Sequence, residues 1–342
     1  MAFINRVLNT PSYGWKDENN KFVIPSHKTL FKEALNNVNI FDSRKKWLPF
    51  FSWSIILALL PFVFMFAAWF FSIKLFAVAV LYGLIITSVH GTIWFHRYCT
   101  HKSYNFSHPF WKFLTQNLVI KTVPEEIYVV SHHVHHALSD LPGDPYNARG
   151  GFWYCMLADV NHQNISRTLD GSDYKKVSAY LKHTGIKLNT YAQYKKWGTV
   201  TNPFYAVATH LLNWIFWYGT FYLLGGHGLA CAMFSAALFW FVLVRAFNYT
   251  GHGNGEEKHV DGIDYDRSNL SINQLRPGLF SGEWHNNHHL YPKSARAGFL
   301  PYQLDLAWVY IYTLSRIGAV KDYNDAKKEF LDKHVHREKI PQ

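Results

Sequence analysis

Apolar residues fall along this chain in long slabs rather than in alternating stripes. No charge interrupts the run from Leu48 to Phe71, and after Ser72-Ile73-Lys74 a second run extends from Leu75 to Phe95. A third runs from Pro203 to Leu224, and beyond Gly225-Gly226-His227-Gly228 a fourth runs from Leu229 to Tyr249. As a helix the first would rise about 36 Å, enough to cross a hydrocarbon core of about 30 Å with some tilt. The pattern predicts an all-α membrane protein with four transmembrane helices in two hairpins, 48–95 and 203–249. The polar remainder divides into an N-terminal lead, 1–47, and two larger segments, 96–202 and 250–342, which together form a helical cap. Within the first, residues 108–122 carry Phe110, Phe113, Leu114 and Leu118 at helical spacing, as either a helix lying along the interface or one packed on the core would. A charged helix is expected from Asp322 to Lys339.

Lys and Arg set the orientation. Segments 1–47, 96–202 and 250–342 hold 8, 12 and 12 of them, whereas the short connections hold Lys74 or none. By the positive-inside rule both termini and the cap are cytosolic, in a bacterial inner membrane or an endoplasmic reticulum. Arg245, near the end of the fourth slab, is expected to snorkel toward the interface. The first 47 residues have no apolar stretch of the kind a cleavable signal needs, so insertion is expected to rely on the first membrane helix.

Composition agrees with a lipid setting: aromatic residues are 18% of the chain and charged ones 17%. The net charge of +11 accompanies no nucleic-acid-binding module, and an anionic membrane surface or substrate head group suits it better. Cys99, Cys155 and Cys231 are too scattered for a disulfide framework or a thiolate metal site.

The chemistry concentrates in histidine. In Ser131-His132-His133-Val134-His135-His136, helical geometry puts His132, His135 and His136 on one face and His133 on another. His285, His288 and His289 repeat the spacing. His96 and His101 follow the second slab directly; five residues apart, they face one site only where the helix ends or loosens. Asn248 and His252 follow the fourth slab at i, i+4. Nine imidazoles and an amide overfill one coordination sphere of four to six ligands, so two ions are implied. His90 lies outside these spacings and reads as a hydrogen-bonded interior histidine rather than as part of the site. Asp140 and Asp144, in a breaker-rich loop, suit capping or support of the ligands better than ligation.

The motifs HRYCTH, HHVHH, NYTGH and HNNHH, in this order around four apolar spans, resemble those of the membrane fatty acyl desaturases, in particular the stearoyl-CoA desaturase-like branch. Asp144-Pro145-x-Asn147 after the second box agrees with that resemblance. It implies two irons held by the nine histidines, with Asn248 acting through a water. It also implies O2 as oxidant and removal of two hydrogens from an unactivated methylene pair of a fatty acyl thioester, acyl-CoA in that branch. The substrate tunnel is expected to end near Val80 and Leu84. With no cytochrome b5-like, flavin or ferredoxin motif visible, a separate electron donor is expected, ferredoxin or cytochrome b5 with its reductase.

Two departures bear on the carrier. Where animal members carry a charged pair before the second box and a basic pair further on, this chain has Val130-Ser131 and Gln163-Asn164. Acyl carrier protein and membrane lipid therefore stand as alternatives, and Lys175 and Lys176, in a lysine-rich stretch beyond Gln163-Asn164, are candidate head-group contacts or simply a solvated face. Asn287 stands where animal members have an aromatic residue. The same cluster would also serve a hydroxylase or an acetylenase. A metal transporter fits less well, because transporters place ionisable ligands at mid-membrane, not at helix ends.

Overall fold

The computed structural model describes residues 3–252 and 284–335, with Asn286 described by its backbone alone. Among the described residues three helices are long and apolar enough to cross a membrane: α1 (Arg44–Phe70), α2 (Ile73–Thr100) and, further on, a 48-residue helix, Pro203–Thr250. Ser72 separates the first two and caps the second by accepting a hydrogen bond from the Leu75 amide. Large apolar side chains point outward along them, among them Phe64, Trp69, Ile73, Phe76, Leu212 and Ile215. In water such a surface would be costly; against lipid tails it is matched.

Between α2 and the third long helix lie the strand β1 (Tyr104–Phe106) and the helices α3 (Pro109–Gln116), α4 (Glu125–Leu138) and α5 (Gly171–Leu181). On α3, Phe110, Phe113 and Leu114 are exposed on one side, as the interfacial reading expects.

The Pro203–Thr250 helix, α6, would reach about 72 Å if straight, more than twice a bilayer core. It does not run straight. Gly225 and Gly226 leave helical geometry, Gly226 at φ 68°, a conformation that glycine adopts without a Cβ clash. Phe62 of α1 packs against both Tyr218 and Phe234, whose own rings lie 5.9 Å apart. In one continuous helix sixteen residues separate by about 24 Å, so α6 doubles back at the two glycines into antiparallel arms. Its second arm meets α2 closely at Gly91, where a Cβ would come within 2.6 Å of the Trp240 ring.

After α6 come α7 (His285–Leu290), α8 (Leu306–Arg316), the strand β2 (Val320–Tyr323) and α9 (Lys327–His334). The strands pair antiparallel, Tyr104 opposite Tyr323. Asp322 thus belongs to a strand, and the charged tail is not one helix from Asp322: a ladder with β1 claims its start, and Lys339 and both termini lie outside the described residues.

Arg245 also departs from expectation. It is buried and forms a two-pronged ion pair with Asp159, both bonds at 2.7 Å, which Ser52 and Trp53 of α1 join by donating to the same carboxylate. A paired partner inside the protein holds the guanidinium where a snorkelling one would seek water. Arg97, directly after His96, is buried likewise: it donates to both Asp305 oxygens at 2.9 Å and to the Ala295 carbonyl, tying the end of α2 to the loop before α8.

Candidate metal centre

Four elements deliver the histidines to one place. His96 and His101 come from the end of α2, where residues Thr92–Thr100 widen into π-type turns. The His101 amide donates to the His96 carbonyl five residues back, so the loosening that the spacing requires is a π-turn, and the two rings stand 4.9 Å apart. α4 supplies His132, His135 and His136, and α7 supplies His285, His288 and His289; His252 follows the end of α6. Asn287 of α7 faces away from the histidines and donates to the Ala297 carbonyl and to Gln303, so the residue that replaces an aromatic one anchors a loop.

The nine rings separate into two groups. His96, His101, His132, His136 and His288 form one; His135, His252, His285 and His289 form the other; in each, one ring nitrogen per residue lies within 4.8 Å of all its fellows. The Nε2 atom of His288 is 2.8 Å from that of His96 and 3.0 Å from that of His136, and His136 is 3.1 Å from His132. In the second group His285 is 3.0 Å from both His252 and His289. A neutral imidazole has one donor and one acceptor nitrogen, so convergent Nε2 atoms cannot all satisfy one another. A metal bonded to nitrogen at about 2.1 Å spaces neighbouring ligands by about 3 Å, and the donor set fits such an ion in each group. The group of four lacks one histidine that the group of five has, and Asn248 lines the cavity beside it with His252 and His285.

Burial pushes His101, His132, His136, His285, His288 and His289 well below the usual imidazole range, and neighbouring rings add to it. Neutral rings are the form that binds metal. A carboxylate supports each of two rings in the second group: Asp144 Oδ1 lies 2.9 Å from His135 Nδ1, and Asp140 Oδ1 lies 3.7 Å from His252 Nδ1. At His135 the hydrogen bond on Nδ1 fixes the tautomer that leaves Nε2 free to ligate, while Asp140 acts on His252 through its charge. Asp144→Asn should therefore weaken metal retention about 10- to 100-fold with the fold intact. Chelator competition on the purified protein reads this directly, and unchanged retention would show that the carboxylate does not tune the site.

Other candidates lie elsewhere. His133 stacks on Tyr180 with ring centres 4.1 Å apart and, like His90, belongs to neither group; His90 lies 2.7 Å from the Thr115 carbonyl. A cavity adjoins both groups, walled by Val123, Ile127, Val244 and Phe247 together with Tyr128 and Tyr146. Val80 and Leu84, half-buried, do not line it, nor do Lys175 and Lys176. Both lysines are exposed, and Lys176 sits 3.6 Å from Asp173 and over the Phe3 ring. Sequence reasoning passed over Tyr128 and Tyr146, although both stand within a dozen residues of the HHVHH box, on α4 itself and in the loop after it.

The family model for fatty acid desaturases matches residues 73–314, which include all nine histidines. This chain belongs to the fatty acid desaturase family. The desaturase is 28% identical over 293 residues to an sn-1 stearoyl-lipid 9-desaturase of Synechocystis sp., covering 82% of each chain. It is 26% identical to an icosanoyl-CoA 5-desaturase of Limnanthes douglasii, over 80% of this chain and 71% of the other. It is also 26% identical to a hex-5-enoyl-[acyl-carrier protein] acetylenase of Moorena producens, over 74% of this chain and 78% of the other. Membership makes the desaturase an oxidoreductase of lipid metabolism, and its relatives act on fatty acyl substrates.

Proposed function

We propose that this desaturase is a di-iron enzyme that uses O2 to place a double bond in a fatty acyl chain. What carries the reading is the division of nine converging imidazoles into five and four, with an amide beside the smaller group and a largely apolar cavity against both. His96, His101, His132, His136 and His288 would hold one iron; His135, His252, His285 and His289 the other, with Asn248 acting through a water. When bound, the irons supply the redox chemistry that an unactivated methylene pair demands, which zinc in the same geometry could not. Reducing O2 to water takes four electrons, two from the methylene pair and two from a separate donor, ferredoxin or cytochrome b5 with its reductase. Val123, Ile127, Val244 and Phe247 exclude water from the acyl chain and hold it against the histidines.

The two arms of α6, with α1 and α2, make four crossings in this reading, and the positive-inside rule puts both termini and the histidines in the cytosol. For the carrier, the order of the boxes supports acyl-CoA, whereas the buried, uncharged Val130, Ser131, Gln163 and Asn164 offer no cation to its phosphates. The relatives named above act on lipid, CoA and acyl-carrier-protein substrates. The resemblance to an acetylenase keeps triple-bond formation as the second reading; product mass separates the two.

The test is expression in a host lacking the activity, with lipid profiling by mass spectrometry. Loss of two mass units in a defined acyl pool is expected, and iron near two per chain in the purified protein; zinc alone after iron-replete growth would sink the di-iron reading.

A further inference from the structure

Where α3 and the loop after it meet the first arm of α6, polar groups are paired with care. Carbonyls of residues 117–121 turn toward α6, and α6 takes them up: Asn213 donates to Val119 at 3.0 Å, Trp214 to Lys121 at 2.8 Å and Trp217 to Asn117 at 3.0 Å. Two side chains beside them are left over, which is rare for buried polar groups. His210 is 5% exposed, and its Nδ1 lies 2.8 Å from the Ala206 carbonyl, which can only accept, so Nδ1 carries the proton. In the neutral ring Nε2 is then an acceptor, and it is buried with no donor in reach. Lys121 is 6% exposed; its ammonium lies 3.8 Å from Glu125 Oε1, close enough to pair charges and too far for a hydrogen bond.

Both residues line a small cavity behind the start of α4, with Trp47 of α1 at its edge. Lys121, Tyr205 and Thr209 also line a second cavity of 440 Å³, walled chiefly by apolar side chains, among them Phe113, Leu114, Leu212 and Phe216. Those four are exposed, so this cavity opens on the apolar surface of the molecule. Together the two form a slot, polar at its inner end and greasy at its mouth. Neither shares a lining residue with the cavity beside the histidines: Val123 and Ile127 face that one, Pro124 and Glu125 the slot. Among the described residues Lys121 and Glu125 are the only charged groups that line the slot, and they cancel. A phosphate would meet one cation already paired with a carboxylate, and a quaternary ammonium no free anion. A hydroxyl suits both leftover groups, since it accepts from the ammonium and donates to Nε2.

We propose that this slot binds a neutral lipid with a free hydroxyl head, the hydroxyl between Lys121 Nζ and His210 Nε2 and an acyl chain along Phe113, Leu114, Leu212 and Phe216. Trp47 at the polar end marks head-group level, where amphipathic rings collect. Diacylglycerol and glycosyl diacylglycerol share this chemistry. The site lies apart from the reaction cavity and does not depend on the metals. Glu125 opens α4, so a bound lipid braces the helix that carries the HHVHH box.

The test places the full-length protein in phosphatidylcholine nanodiscs and titrates in dioleoylglycerol, monogalactosyl diacylglycerol, their O-methylated forms and phosphatidylglycerol, with native mass spectrometry counting bound lipid. The parent protein should bind at least one of the two hydroxyl lipids, the tighter one naming the source, and its methylated form about 3- to 10-fold more weakly. His210→Phe keeps a ring against Phe51 and removes the acceptor. It should lose the same factor on the free hydroxyl and little more on the methylated lipid. Leu212→Trp, at an exposed position where folding is not at stake, narrows the groove and should weaken both hydroxyl lipids. Equal binding of free and methylated lipids by the parent would mean that water alone serves His210, and would overturn the proposal. So would tighter binding of phosphatidylglycerol than of either neutral lipid, or full binding by both variants.

Discussion

On the di-iron reading, replacing His288 with alanine should abolish unsaturation and lower the iron content from about two per chain to about one, while His133→Ala should keep both. His288 is central to the group of five, its Nε2 within 3.0 Å of the nitrogens of both His96 and His136. Removing a group that merely supports a ligand costs about 10- to 100-fold, so removal of the ligand itself should cost more than 100-fold in turnover. His133, one residue from His132, turns its ring onto Tyr180 instead; truncation forfeits that stacking, about 0.5–1.5 kcal/mol of stability, without touching the chemistry. Elemental analysis and product profiling on both variants decide the matter. Equal loss of turnover at the two positions would mean that the face assignment on α4 does not govern ligation.

Arg245→Met should be among the most destabilising single changes in the chain. It leaves the Asp159 carboxylate buried and facing only Ser52 and Trp53, and breaking a buried pair from one side costs about 3–5 kcal/mol. Adding Asp159→Leu removes the stranded charge and should restore part of the loss; Ser52 and Trp53, then without their acceptor, keep it from restoring all. Thermal unfolding in detergent gives the comparison. A double variant as unstable as Arg245→Met alone would show that the charge is not what the protein protects.

How much of this was legible in sequence depended on whether a feature is periodic or tertiary. The long apolar helices are legible because they come from unbroken apolar runs, and the α4 and α7 faces because i, i+3, i+4 spacing is fixed by the helix. The five-and-four division was not: His135 shares a helix face with His132 and His136 yet belongs with His289, and only packing of α7 against α4 decides that. Arg245 read as a snorkelling residue because Asp159 lies 86 positions away, and no local pattern announces such a partner. Asp322 failed for the same reason, its charge pattern being compatible with a helix until β1 offered it a ladder. Gln163 was visible only as a missing charge; its place in the cavity wall is tertiary.

The clamp between Arg97 and Asp305 bears on how the enzyme is made. His96 leaves the ribosome early, with the first apolar hairpin, but its neighbour's counter-charge is 208 residues further on, and His285, His288 and His289 come only shortly before it. At about 5–20 residues per second, the early histidines wait roughly 10–40 s for the late ones. During that interval neither group is complete, so loading of a metal belongs after translation, once the Asp305 loop has closed on Arg97. Chains released short of residue 285 would keep their long apolar helices yet offer only a partial, weakly binding set of imidazoles, which gives the cell's quality control a chemical difference to act on.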